Sequence, residues 1–264
     1  MGKEEEETVK DVFYRLDFRT FGIVTVSLPA GSLLFSFLWG LIFIPDEVNE
    51  TVCNCTNFIP SISAVTGVSP GKYVWRICIA LHSAPRFIIA VLHYNYYLSL
   101  IHNVKPSYRP FYKKFVSLNF WLNTVENACL VLVSYISNRE NYPVHEKIFV
   151  VFMVMSLCYM LTNTILFNMS RPEKWTELDL KSYAFKKYLW IAIMISTGVL
   201  LYFFAQHRLF CIPGAFSWFS LSEFFIAYIN MAYHVTAIWE FKDSHWVNGV
   251  FSPPHVTNNH IKSH

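Results

Sequence analysis

Six stretches of this chain stay apolar for long enough to cross a bilayer, near residues 21–44, 74–101, 115–137, 145–168, 188–206 and 216–240. About 30 Å of hydrocarbon takes roughly 20 helical residues, and a backbone surrounded by lipid must find its hydrogen bonds internally. No strand-like alternation of a barrel is visible, so the stretches are expected to be helices. The predicted fold class is an all-α membrane protein, a bundle of six transmembrane helices. Composition agrees, since 54% of the 264 residues are hydrophobic and only 15% are charged, too few to cover a soluble surface. The first stretch is too long for the apolar core of a signal peptide and lacks a small-residue cleavage site, so it reads as a retained anchor. The fifth is the shortest.

Lys and Arg set the orientation. The N-terminus, the 102–114 and 169–187 segments and the tail hold fifteen basic residues, whereas the opposite side holds Lys72, Arg139, Lys147 and Arg208. The bias predicts both termini in the cytosol and the loops 45–73, 138–144 and 207–215 in the lumen or outside. Residues 1–20 then form a cytosolic leader, 21–240 the six-helix domain, and 241–264 a cytosolic tail with no packing pattern, expected to be disordered. No internal repeat is apparent, which disfavours a solute transporter built from two halves. No nucleic-acid partner is expected.

The first large loop carries "NETVCNCT", in which Asn49 and Asn54 each begin an N-x-[ST] glycosylation sequon. A third sequon at Asn168 falls on the predicted cytosolic side, where it cannot be used. Cys53, Cys55 and Cys211 lie in predicted lumenal loops, and one bridge from Cys53 or Cys55 to Cys211 is expected in an oxidising compartment. No histidine accompanies them at ligand spacing, so no metal site is expected.

Polar residues inside three of the stretches fall on single helical faces. In the second, His82 and Arg86 are four residues apart, His93 follows seven later, and Pro85 opens the local hydrogen-bond ladder. The third carries Asn119, Asn123, Glu126 and Asn127, and the sixth Glu223, Asn230 and His234, while His145 and Glu146 stand at the lumenal start of the fourth. Charges in hydrocarbon cost about 2.5–3.5 kcal/mol each by insertion scales and usually face a protein interior or a water-filled cavity. A polar cavity opening toward the lumenal leaflet is therefore expected. The plainer reading makes Arg86 a structural strut paired with Glu126 or Glu223, with the asparagines as interhelical glue. A strut needs only one pair, whereas histidines that move protons near neutral pH point to binding or chemistry. A lipid headgroup entering sideways is the natural ligand, with Arg86 on phosphate and a histidine taking a proton from a hydroxyl. No known hydrolase, zincin or acyltransferase signature is present.

The segments "YVWRICIALHSAPRF" (73–87), "LNFWLNTVEN" (118–127), "HEKIFVVF" (145–152) and "NMAYHVTAIWEF" (230–241) resemble, in order, the motifs of the six-span family of post-GPI-attachment-to-proteins factor two, also known as FGF-receptor-activating protein. The resemblance runs from about residue 15 to 243. It implies a Golgi membrane protein, with the endoplasmic reticulum as a second location, that restores a saturated sn-2 chain to lyso-GPI. Its partners would be lyso-GPI, GPI-anchored proteins, membrane lipid and other GPI-remodelling proteins. It implies either an acyltransferase or an essential non-catalytic subunit that presents lyso-GPI to one. No cofactor is implied, and the acyl donor is acyl-CoA or a phospholipid. Under this resemblance the catalytic set is His82, Arg86, Glu126 and Glu223. His82, oriented by Glu126 or Glu223, would deprotonate the lyso-lipid hydroxyl. Arg86, with Asn123 or Asn127, would hold the inositol phosphate or the oxyanion. His145, Glu146, Asn230 and His234 complete the substrate-binding set, the first two at the glycan or as a second acid/base pair.

Overall fold

Local chemistry marks where the long helices begin. Asp17 accepts the Thr20 N–H at 3.0 Å and so caps α1, Phe18–Phe43. Ser137 and Glu140 form a capping box at the start of α6, Asn138–Ser170, and Thr176 and Asp179 do the same for α7, Glu177–Phe210. The computed structural model describes residues 9–172 and 174–251; the "KEEEE" leader and the "SPPHVTNNHIKSH" tail lie outside them. The other helices are α2, Pro45–Asn49; α3, Ile62–Val65; α4, Gly71–Ser99; α5, Arg109–Tyr135; α8, Ala215–Val235; and α9, Ala237–Glu240.

Six of these helices are long. Each packs on its neighbour in sequence, α1 on α4, α4 on α5, α5 on α6, α6 on α7 and α7 on α8, and contact of α1 with α8 closes the ring. Elements consecutive in the chain usually neighbour one another in space. The buried face of α1 is a stripe of small residues, including Gly22, Thr25, Ser32, Ser36 and Gly40, which lets neighbouring backbones approach closely. The buried residues Lys186, Ile193, Leu200 and His207 of α7 recur every seven positions, a single seam with the rest of the helix facing outward.

Among the described residues five helices are long and apolar enough to cross a membrane: α1, α4 with the following 3-10 turn, α5 with the preceding one, α6 and α7. The chain is therefore a multi-pass membrane protein. The fifth apolar stretch, expected to be the shortest, lies in the longest helix, 34 residues. Hydropathy sees only its apolar centre, whereas its ends carry Lys181, Lys186, Lys187 and Arg208. Conversely α8, with 21 residues, is long enough but is diluted by its serines, Glu223 and Asn230.

Two elements were not legible as such. Residues of the expected leader and tail pair as an antiparallel ribbon, β1 (Val9–Asp17) with β2 (His245–Phe251), so most of the described part of each is ordered as a strand. The ribbon brings the two ends of the ring together. At the other end, the 50–61 segment is fixed over the start of α8. A disulfide joins Cys53 to Cys211, the Phe58 and Ile59 N–H groups donate to Ser217 Oγ at 2.8 and 3.3 Å, and Gly214 N–H donates to Thr56 O at 3.1 Å. This segment delivers α3 onto the interior of the ring. Gly71 makes the close approach possible, because a Cβ there would stand 2.6 Å from the Val65 carbonyl oxygen.

Candidate functional site

Arg86 on α4 and Glu126 on α5 meet in the middle of the ring, Nη2 to Oε2 at 3.1 Å, with 4% and 0% of their side chains exposed. Taking either charge into such surroundings alone would cost several kcal/mol, a cost that pairing offsets. Three further side chains complete the pair. Arg86 Nη2 lies 2.7 Å from His234 Nε2 and 3.4 Å from Asn123 Oδ1, and Asn230 Nδ2 donates to Glu126 Oε1 at 2.7 Å. A guanidinium has only donors, so His234 Nε2 accepts and its proton sits on Nδ1. The same Nε2 is 3.3 Å from Glu126 Oε1. A proton arriving on it would be repelled by Arg86 and accepted as a hydrogen bond by Glu126.

His82 stands one turn before Arg86. Its Nδ1 is 2.7 Å from the Thr25 carbonyl oxygen on α1. A carbonyl can only accept, so Nδ1 carries the proton and Nε2 presents its lone pair. The sequence reading expects Glu126 or Glu223 to orient His82; among the described residues neither carboxylate is bonded to it, and a backbone carbonyl does the orienting. Glu126 serves Arg86 instead. Glu223 is eleven residues before His234 on α8, about 16 Å along the axis, where its Oε2 accepts the Ile62 N–H of α3 at 2.8 Å.

His82, Arg86 and His234 close the inner end of a cavity with about 830 Å³ of empty space, its open mouth included. Apolar side chains such as Trp75, Ile79, Phe149, Phe152 and Met231 form most of its wall, and Asn230 and Glu223 face it from α8. At its outer part His145 Nδ1 is 2.7 Å from the Ile136 carbonyl oxygen and Nε2 is 3.1 Å from Ser63 Oγ. The carbonyl fixes the tautomer, so the Ser63 hydroxyl donates to His145. Glu146 is turned away from this pair, half-exposed, with Tyr142 Oη 3.5 Å from its carboxylate. The expected acid/base pair of His145 and Glu146 is thus divided, as adjacent helical positions point apart.

Asn127 donates to the Ser83 carbonyl oxygen at 2.9 Å and Asn119 accepts from Thr162 at 2.8 Å, both joining helices rather than facing the large cavity. Asn49 closes α2 by donating to the Pro45 carbonyl oxygen, and Asn54 is exposed. Cys55 is free, its Sγ 3.0 Å from the Cys211 carbonyl oxygen. Among the described residues no three His, Cys, Asp or Glu side chains are placed to share a metal ion.

Sequence reasoning missed a second polar cluster. Lys186 of α7 and Glu240 of α9 pair at 2.7 Å with 1% of each exposed, Lys186 also donates to Thr236 at 2.6 Å, and Tyr97 Oη is 3.2 Å from the Glu240 carboxylate. Lys186 was legible only as one of several basic loop residues. Glu240 is the penultimate residue of the quoted "NMAYHVTAIWEF" segment, six residues after His234, the one signal that could have marked it. Ser63, 82 positions before His145, offered no signal.

A family profile described as the Frag1/DRAM/Sfk1/Cwh43P N-terminal domain matches residues 17–244. A protein of Drosophila melanogaster named post-GPI attachment to proteins factor 2-like is 45% identical over 241 residues, covering 90% of this chain and 74% of its own. A Xenopus tropicalis protein named acyltransferase PGAP2 is 38% identical over 86% of this chain and 89% of its own, and a Caenorhabditis elegans post-GPI attachment to proteins factor 2 is 32% identical over 88% of each. No solved structure matches. The profile covers every long helix and both sides of the Arg86 centre, and the chain belongs to the Frag1/DRAM/Sfk1/Cwh43P N-terminal domain family, among the post-GPI attachment to proteins factor 2 proteins.

Proposed function

We propose that this protein acts in GPI-anchor lipid remodelling in the Golgi membrane, returning a saturated acyl chain to the sn-2 hydroxyl of lyso-GPI. The observation that carries the reading is the oriented His82 imidazole beside the Arg86–Glu126 pair at the inner end of an apolar cavity. An amphiphile fits such a space, chain along the wall and polar group inward. In the transfer, the sn-2 oxygen attacks the donor carbonyl carbon and gives its proton to His82 Nε2. Arg86 faces the developing oxyanion, the bond to the leaving group breaks, and His82 returns the proton to that group. Glu126, Asn230 and Asn123 act as positioning residues for Arg86. Relatives that carry post-GPI attachment names, one of them named as an acyltransferase, support the assignment.

Six crossings with cytosolic termini belong to the same proposal. The ribbon pairs residues before α1 with residues after α9, and a chain whose ends meet on one side crosses an even number of times. With five apolar helices, α8 is the sixth. The basic bias then puts the α3 end of the large cavity toward the lumen.

The test is purified protein in proteoliposomes with lyso-GPI and either acyl-CoA or saturated phospholipid. Product without any other protein is the expected result. The competing reading is a scaffold that presents lyso-GPI to a separate enzyme, and it draws on the same buried pair, which can serve as a strut. Lyso-GPI binding without product would favour it.

A further inference from the structure

Pro29 stands inside α1, on the buried face of a helix that packs against α4. A proline has no N–H to offer the carbonyl four residues back, and its ring pushes that carbonyl out of the helical ladder. In α1 the carbonyl four residues back belongs to Thr25, and this is the one that accepts His82 Nδ1–H at 2.7 Å. Within a bilayer a carbonyl freed by proline must find its donor on a neighbouring helix. Here α4 supplies an imidazole.

The small-residue face of α1 lets His82 reach a backbone atom. Thr25 and Ser36 are eleven residues apart on α1, and the groups they meet on α4, His82 and Gly71, are eleven apart in the opposite direction. Ser36 Oγ lies 3.5 Å from the Gly71 carbonyl oxygen, so the two antiparallel helices stay close from Gly71 to His82. Two other prolines interrupt long helices. Pro85 of α4 stands four residues after Leu81, and Pro143 of α6 four after Arg139; among the described residues no side chain donates to either carbonyl. The carbonyl opposite Pro29 is the one that a histidine meets.

We propose that Pro29 is a positioning residue for His82. By withholding an N–H it keeps the Thr25 carbonyl free to hold the Nδ1 proton, and so fixes the tautomer in which Nε2 offers its lone pair to the substrate. In the other tautomer Nε2 carries the proton and cannot accept one from a hydroxyl. An alanine at this position would restore the N–H and draw the Thr25 carbonyl back along the helix axis, leaving Nδ1–H without its acceptor. The effect on turnover rests on the reacylation reading, whereas the effect on the tautomer stands without it.

The test compares the parent protein, Pro29→Ala and a form carrying the α-hydroxy acid analogue of alanine at position 29, introduced by nonsense suppression, all full-length in proteoliposomes. The analogue forms an ester link with no N–H, so it leaves the Thr25 carbonyl free as proline does, but without the ring. Nitrogen-15 NMR of labelled histidine, with the His82 signals identified by their loss in His82→Gln, is expected to show Nδ1 protonated in the parent and with the analogue. Pro29→Ala should lose that single tautomer. In transfer assays Pro29→Ala should lower kcat about 10²-fold with the KM for lyso-GPI within about twofold, and the analogue should restore kcat to within about threefold of the parent. Because it gains a helix bond, Pro29→Ala should resist heat at least as well as the parent. An unchanged tautomer in Pro29→Ala, or a lost one with the analogue, overturns the inference. So does a Pro29→Ala protein that turns over normally after its tautomer has changed. A tautomer that follows the N–H in protein with no transfer activity supports the orientation by Pro29 while sinking the catalytic reading.

Discussion

A charge pair buried as deeply as Arg86 and Glu126 has two explanations, a strut or a site, and substitution can separate them. Arg86→Leu alone strands the Glu126 carboxylate and is expected to destabilise the fold by about 3–5 kcal/mol. The double variant Arg86→Leu, Glu126→Leu removes both charges and is expected to recover abundance, because packed apolar residues replace buried ion pairs with little loss. Acyl transfer should not recover with it. Reacylated anchors in cells carrying the double variant would show that the pair is only a strut. His82→Ala should leave lyso-GPI binding intact and slow transfer by roughly 10²–10⁴-fold, the usual worth of a general base. The Ser63 hydroxyl, donated to His145, poses a rival chemistry, a covalent acyl-serine. Direct transfer at His82 predicts that Ser63→Ala keeps most activity and that no hydroxylamine-releasable acyl group forms on Ser63 during turnover; a trapped acyl-Ser63 would move the reaction to the rim.

At the scale of elements, what the sequence displayed was periodicity. His82, Arg86 and His93 fall on one face of α4 and Asn119, Asn123, Glu126 and Asn127 on one face of α5 because four-residue and three-residue steps survive any packing. What it could not display was the partner across each gap. The group orienting His82 is the Thr25 carbonyl, a backbone atom that every residue type carries. The ribbon was hidden because its strands are separated by nearly the whole chain. The role of Glu223 was also hidden, since a carboxylate in an apolar stretch resembles a catalytic group until its partner is known. That partner is the first N–H of α3, and it yields a prediction. Glu223→Gln keeps an acceptor for Ile62 N–H and should be near neutral. Glu223→Leu leaves the N–H unpaired, at about 1–3 kcal/mol, and should speed hydrogen exchange across Ile62–Val65 while weakening lyso-GPI binding. Equal behaviour of the two variants would mean that the charge of Glu223, not its capping bond, matters.

For the molecule as a whole, the consequence with the widest reach is sidedness. The disulfide and two sequons share one loop at the α3 end of the ring, and the ribbon stands at the other. A disulfide persists in an oxidising lumen and is rare in the cytosol, and sequon glycosylation is likewise a lumenal modification. Peptide mapping of protein taken from intact membranes under thiol-blocking conditions should therefore recover Cys53 linked to Cys211. Because Cys55 Sγ lies 3.0 Å from the Cys211 carbonyl oxygen, Cys53→Ser should pass the bridge to Cys55, and only Cys53→Ser with Cys55→Ser should abolish it. Losing it costs at most about 2–4 kcal/mol by the usual range for a disulfide. The cost should sit toward the low end, since helices left in the bilayer stay partly ordered in the unfolded state. In the same membranes a glycosidase should sharpen the band of the parent protein and not that of Asn49→Gln, Asn54→Gln, while Asn168 at the opposite end of α6 stays bare. A glycan on Asn168 would invert the whole arrangement, turning the large cavity toward the cytosol.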